Sequence, residues 1–119
     1  MSRSIERVIP VIPVRDIAAS MRYYEDVFGF ACEWGGEDGS HIGSVGRDDC
    51  SIMLRQENDP APNWVWVGVE DIMPIYEKAV AAGATVMEPP RNRPWAYETM
   101  LLDLDGNVLW FGSEPLKES

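Results

Sequence analysis

The sequence predicts an α+β fold made of two βαβββ units. An alternating strand, an Asp-Ile pair and an amphipathic helix ending at a glycine occur twice, once around Asp16-Ile17 and once around Asp71-Ile72. A polar, proline-containing segment, residues 57–63, separates the two copies. The chain has 119 residues, which suffice for one core but not for two independent cores. The two units are therefore expected to bury their apolar faces together, as one domain over residues 1–119.

The first unit is predicted over residues 1–56. Residues 8–14 alternate as a strand, Asp16 can cap the following helix, and Gly29 can end it. The predicted inward face of this helix carries Ile17, Met21, Tyr24 and Phe28. Three further strands are expected at residues 30–34, 41–45 and 51–55. The segments GGEDG and GRDD then connect these strands as turns.

The second unit is predicted over residues 64–114 and repeats this order. Residues 64–69 form a strand, Asp71 caps a helix and Gly83 ends it. The inward face of this helix is predicted to carry Ile72, Ile75, Ala79 and Val80. Further strands are expected at residues 85–88, 97–103 and 108–112. Between them, PPRNRP is expected to form a loop and LDGN a hairpin turn.

The composition excludes several classes of partner. The net charge of −10, from 20 acidic and 10 basic residues, argues against nucleic acid and anionic membranes, which both attract basic surfaces. The same charge is compatible with a cationic ligand, although it also serves solubility. The first residues contain no apolar run typical of a signal peptide or a membrane span, so a cytoplasmic location is expected. Cys32 and Cys50 are accordingly expected to be reduced thiols, with a disulfide as the alternative.

Three segments resemble the vicinal oxygen chelate superfamily, which includes glyoxalase I, extradiol dioxygenases and the bleomycin resistance proteins. They are VRDIAASMRYYEDVFGF, VEDIMPIYEKAVAAGATV and PWAYETMLLDLDGNVLWF, which together span nearly the whole chain. In the last segment, Ala96 and Leu104 replace a glycine and a proline that are frequent in the family. The resemblance implies sheets that curl into an open cup, commonly in a homodimer with cavities at the interface between units.

Alternation along the predicted strands indicates which side chains face this cup. Aromatic side chains there could stack on a planar ligand or hold a cation, or could instead fill the cup or a dimer interface. The predicted ligand-binding residues are Met53, Arg55, Trp64, Trp66, Trp95, Glu98 and Trp110. Arg55 and Glu98 are expected to pair with each other, or one of them to orient a ligand group. His41 is expected to be structural. Arg91 and Arg93 are expected to be solvated, with contact to a ligand from their loop as the alternative.

The resemblance also implies four positions at which metal-using members carry a His, Gln or Glu. The residues at the matching positions are Ile9, Met53, Trp64 and Trp110. None of these side chains is a usual ligand of a divalent metal. We therefore expect no metal and no cofactor, with Glu88 and Glu98 as the only candidates for weak binding.

These observations predict a metal-free protein that binds a small aromatic and cationic molecule. Drug sequestration or antibiotic resistance is the role implied by the resemblance, and no catalytic residue is assigned. The alternative is a glyoxalase-like lyase, isomerase or dioxygenase of the same superfamily, in which Glu98 or His41 acts as a base. A third possibility is a partner domain that binds no ligand at all.

Overall fold

The structure is a computed structural model that describes residues 4–37 and 39–117. Within these residues, two successive βαβββ units are present, which confirms the predicted α+β fold class. The elements are β1 (Val11–Val14), α1 (Ile17–Phe28), β2 (Ala31–Gly35), β3 (Ile42–Arg47), β4 (Cys50–Gln56), β5 (Trp64–Gly68), α2 (Ile72–Ala81), β6 (Thr85–Asn92), β7 (Tyr97–Leu102) and β8 (Val108–Ser113). We call the first five elements unit 1 and the last five unit 2.

Each unit forms its own four-stranded sheet with the same topology. The strand order is β1-β4-β3-β2 in unit 1 and β5-β8-β7-β6 in unit 2. The first strand of each unit runs parallel to the last, and the other neighbours are antiparallel. The pair Val11–Met53 in unit 1 therefore corresponds to the pair Trp66–Trp110 in unit 2. We call the face of each sheet that lies opposite its helix the open face.

Both helices begin at the predicted aspartates. The side chain of Asp16 accepts a hydrogen bond from the backbone of Ala19, and that of Asp71 accepts one from Met73. The predicted inward face of α1 is confirmed, because its four apolar residues are all buried. The prediction for α2 is wrong at Val80, which is 42% exposed. Val80 lies about 100° around the helix from the buried Ala79, since an α-helix has 3.6 residues per turn.

One core joins the two units through their helix-bearing sides. The hydroxyl of Tyr24 in α1 donates a 2.7 Å hydrogen bond to Asp103, which follows β7. The side chain of Asn107 donates to the carbonyl of Pro13 at 2.8 Å, so the predicted LDGN turn also links the units. All three polar side chains are buried. The contacts between the units therefore leave the open faces available for other partners.

Two predicted connections turn out to belong largely to strands. The expected loop PPRNRP is mostly β6, which continues through Pro89 and Pro90. Proline is tolerated here because β6 is an edge strand, where one side of the backbone needs no hydrogen-bond partner. In the GRDD segment, β3 extends to Arg47, and the turn consists of Asp48 and Asp49, both with positive φ.

Two smaller expectations concern the membrane and the cysteines. No helix in the part of the chain that the structure describes is long and apolar enough to cross a membrane. Cys32 and Cys50 are both exposed free thiols.

Candidate functional site

The open face of unit 2 is an aromatic surface built by two neighbouring strands. Trp64 and Trp66 alternate with the core valines of β5 and are 55% and 58% exposed. Trp110 of β8 is half-buried between them and the rest of the sheet. The rings of Trp64 and Trp110 meet edge to face, with centroids 6.2 Å apart. This geometry is favourable for indoles and leaves ring surface accessible to a ligand.

Two glycines allow Trp66 to lie down on the sheet. A Cβ added at Gly68 would come within 2.8 Å of the six-membered ring of Trp66. A Cβ added at Gly112, on the neighbouring strand, would lie 3.1 Å from its ring nitrogen. Because both side chains are missing, the indole rests against the backbone of β5 and β8. Its outer side remains open as a flat apolar platform.

Beside the tryptophans, a buried carboxylate is held by two donors. Glu98 is only 2% exposed. One oxygen accepts a 2.7 Å hydrogen bond from the ring nitrogen of Trp110, and the other accepts from Arg93 Nε at 2.7 Å. A second nitrogen of Arg93 donates to Glu88, also at 2.7 Å. Arg93 thus pairs with two carboxylates at once, and Arg91 lies 3.9 Å from Glu88 as a second positive charge. A buried carboxylate such as Glu98 needs a partner of this kind.

The expected pairing of Arg55 with Glu98 is therefore wrong. Arg55 lies on β4 of unit 1, is exposed, and forms no ion pair among residues 4–37 and 39–117. Arg93, expected to be solvated, takes its place because the two-residue turn between β6 and β7 brings it beside Glu98. In that turn, Arg93 and Ala96 exchange backbone hydrogen bonds around Pro94 and Trp95.

Trp95 lies at the tip of this turn, in agreement with its expected position in a connection between strands. Its ring is 65% exposed, and the guanidinium carbon of Arg93 lies 5.6 Å from the ring centroid. This distance is within the range of a cation–π interaction. The Arg93 network therefore anchors the turn that carries Trp95.

The open face of unit 1 is polar in its centre. Met53 is half-buried and Arg55 is exposed on β4. Next to them, one oxygen of Glu33 accepts hydrogen bonds from the hydroxyls of Ser44 and Ser51, at 2.7 and 2.8 Å. These two hydrogen bonds hold the pKa of the Glu33 carboxyl below its usual range. Glu33 is therefore present as a carboxylate at neutral pH.

The sequence analysis did not identify Glu33, and a β-bulge explains why. The pairing of β2 with β3 passes from Cys32–Val45 to Trp34–Ser44, so Glu33 is an extra residue. Regular alternation would place Glu33 and Trp34 on opposite faces. The bulge instead brings both to the open face, and no residue type in β2 signals it.

The positions that resemble metal sites do not fit a metal. Ile9 has a hydrocarbon side chain and Met53 a thioether, while Trp64 and Trp110 have indoles, and none of these is a usual ligand of a divalent metal. The ring nitrogen of Trp110 also donates a hydrogen bond to Glu98. The described residues also contain no group of three or more His, Cys, Asp or Glu side chains placed to hold a metal ion.

The side chain of His41 makes no hydrogen bond or ion pair with the rest of residues 4–37 and 39–117. This side chain is exposed just before β3, and the backbone carbonyl of His41 accepts a hydrogen bond from Gln56.

Solved structures of similar fold come from several bacteria. TioX from Micromonospora sp. ML1 has a TM-score of 0.82 at 19% identity, covering 92% of this chain and 98% of that one. TnmS3, an antibiotic binding protein from Streptomyces sp. CB03234, has a TM-score of 0.80 at 22% identity, and the match covers 95% of this chain and 99% of that one. A bleomycin resistance determinant encoded on transposon Tn5 has a TM-score of 0.80 at 18% identity, and the match covers 94% of this chain and 100% of that one. At these identities the likeness concerns the fold alone.

Sequence comparison gives the family. No curated protein matches the chain. The sequence model of the Glyoxalase/Bleomycin resistance protein/Dioxygenase superfamily, in contrast, matches residues 5–111, which is most of the chain. The chain therefore belongs to the glyoxalase/bleomycin resistance protein/dioxygenase superfamily.

Proposed function

We propose that this protein binds and sequesters a small aromatic, cationic molecule between the open faces of its sheets. The observation that carries the proposal is the aromatic open face of unit 2, where Trp64 and Trp66 are more than half exposed. Tryptophan side chains of this kind can stack on planar rings, and they attract cations through their ring faces. The name of TnmS3, an antibiotic binding protein, and that of the bleomycin resistance determinant support the same role.

We further propose that the binding form is a homodimer. Trp34, Trp64, Trp66 and Trp95 are 49–65% exposed in the single chain. Monomeric proteins rarely leave so much aromatic surface uncovered. A second copy is the partner that fits best, because each chain carries one aromatic and one polar open face that can serve as opposite walls of a cavity. The resemblance to dimeric members of the family leads to the same expectation.

The arrangement around Glu98 favours binding over catalysis. A general base needs a free oxygen within reach of a substrate proton. Both oxygens of Glu98 are already occupied, by Trp110 and by Arg93. The residues at the positions that bind metal in other members offer no suitable ligands. Glu98 is therefore not placed to act as the base of a lyase or an isomerase.

Titration of the intrinsic fluorescence tests this proposal directly. Proflavine, a planar cation at neutral pH, is expected to quench the tryptophan emission with saturation. Replacing Trp66 by leucine should weaken binding, because it removes the platform. Replacing Tyr76, half-buried beside the core on α2, by phenylalanine provides the control and should leave binding unchanged. Absence of saturable quenching by proflavine and by a panel of aromatic antibiotics would overturn the proposal.

A further inference from the structure

The geometry points to Glu33 as the group that binds the positive charge of the ligand, with Trp34 beside it on the same open face. This inference deepens the proposed function and rests on it. It assigns the ligand a protonated amine or a similar organic cation attached to the aromatic rings. Sequence reasoning had placed the polar contact at Arg55 or Glu98.

The carboxylate of Glu33 is held in a fixed position with one oxygen available. Ser44 and Ser51 both donate to Oε1, at 2.7 and 2.8 Å. Oε2 accepts no hydrogen bond from the described part of the chain, and it lies over Gly46, where a Cβ would collide with it. The two hydroxyls therefore orient the group, and the glycine leaves room for it. A carboxylate prepared in this way loses little freedom when it binds a cation.

Glu33 differs from the acids of unit 2 because it is not neutralised by an arginine. Glu98 and Glu88 share the guanidinium of Arg93 at 2.7 Å. No ion pair to Glu33 is present among residues 4–37 and 39–117, although Arg7 lowers its pKa from a distance. Glu33 therefore keeps its charge available for a ligand.

The bulge that exposes Glu33 has a counterpart in unit 2. There the pairing passes from Val86–Leu101 to Glu88–Met100, which makes Met87 the equivalent of Glu33. Met87 is 51% exposed and carries no charge. Bulges commonly reorient side chains next to functional sites. The same backbone feature thus displays a carboxylate on one open face and an apolar side chain on the other.

A pair of probes that differ in charge tests the inference. Proflavine is a cation at neutral pH, and acridine has the same three rings but is neutral. We expect Glu33→Gln to weaken proflavine binding about five- to thirtyfold, the range for loss of a charge-assisted contact, and to change acridine binding less than about twofold. The glutamine can still accept from both serines, so the strand pairing is kept. Glu77→Gln, which removes the same charge from the exposed side of α2, should leave both affinities unchanged.

A second variant moves the carboxylate without removing its charge. Gly46 does not have a positive φ, so alanine is compatible with its backbone. Gly46→Ala should displace Glu33 from the serines and reduce the preference for proflavine, as Glu33→Gln does. Equal affinities of the wild type and Glu33→Gln for proflavine, or equal losses for both probes, would overturn the inference alone. Failure of the wild-type protein to bind either probe would overturn the proposed function, and the inference with it.

Discussion

The two units share a backbone plan and differ in the chemistry of their open faces. Both have the same strand order, and both have a bulge between the second and third strands. In unit 1 the bulge displays a charged carboxylate held by two serines. In unit 2 the open face is aromatic, and its carboxylates are covered by an arginine. The repeat therefore determines where side chains are presented, and the individual residues determine what they bind.

This difference separates a structural carboxylate from one that is available to a ligand. Glu98 is 2% exposed and is the acceptor for both Trp110 and Arg93. Glu33 is exposed, and its partners are the hydroxyls of two serines. Removing Glu98 should mainly lower stability, whereas removing Glu33 should mainly reduce the preference for a cationic ligand.

The largest effect is expected from Glu98→Ala. The substitution leaves the guanidinium of Arg93 with one carboxylate fewer and the ring nitrogen of Trp110 without its acceptor. Loss of one partner from a buried ion pair costs about 3–5 kcal/mol. Because Arg93 is a quarter exposed, we expect the free energy of unfolding to fall by about 2–4 kcal/mol. Urea denaturation followed by circular dichroism measures it.

The matched substitution in unit 1 is Glu33→Ala. Its stability loss should be smaller, because the Glu33 side chain is exposed and the half-buried Ser51 can bind water instead. The buried Ser44 is then the hydroxyl that loses its partner. Equal losses of stability in the two variants would contradict the distinction between the units.

The next effect concerns the hydrogen bond that joins the units. Tyr24 donates to Asp103 at 2.7 Å inside the core. Tyr24→Phe should lower the free energy of unfolding at neutral pH by about 1.5–3 kcal/mol, as expected for a bond to a charged group. Burial, together with the negative charge of Asp103, raises the pKa of Tyr24 well above its usual value.

The raised pKa gives this prediction a dependence on pH. In the unfolded chain the hydroxyl ionises near pH 10, whereas in the folded protein it remains protonated. The contribution of Tyr24 is therefore fully present below about pH 10 and decreases above it. The difference in stability between the wild type and Tyr24→Phe should shrink as the pH rises above 10. A difference that stays constant would contradict the assigned environment of this hydroxyl.

The positions of the helices and of the aromatic open face could be predicted from local signals. Asp16 and Asp71 are recognisable as caps, and the alternation in β5 places Trp64 and Trp66 on the face opposite Val65. These features depend on neighbouring residues in one segment, so the sequence alone carries them.

The polar contacts could not be predicted in the same way. The position of Glu33 depends on a bulge, which shifts alternation by one residue without any marker in β2. The partner of Glu98 depends on a tight turn between β6 and β7, where a loop was expected around Arg93. Both features arise from the pairing of strands, and a single sequence does not specify that pairing.

A smaller effect should follow from Gly68→Ala. The new Cβ would lie 2.8 Å from the ring of Trp66 and should lift it from the sheet. We expect proflavine and acridine to lose affinity together, by about three- to tenfold, because an aromatic contact is worth roughly 0.5–1.5 kcal/mol. Gly46→Ala in unit 1 is the matched change and should affect proflavine only. If Gly68→Ala weakened the binding of proflavine but not that of acridine, the open face of unit 2 would also contribute to recognition of the charge.

The smallest effect is expected from Trp95→Leu at the tip of the β6–β7 turn. Trp95 is 65% exposed, and its contact with Arg93 is a cation–π interaction at an exposed site. Such a contact contributes about 0.5–1 kcal/mol, so thermal unfolding should change only slightly. Trp34→Leu, on the open face of unit 1 and 49% exposed, provides the comparison and should likewise change thermal unfolding only slightly. Loss of the proposed dimer in sedimentation experiments with Trp95→Leu but not with Trp34→Leu would show that the two tryptophans have different roles, with Trp95 contacting the second copy.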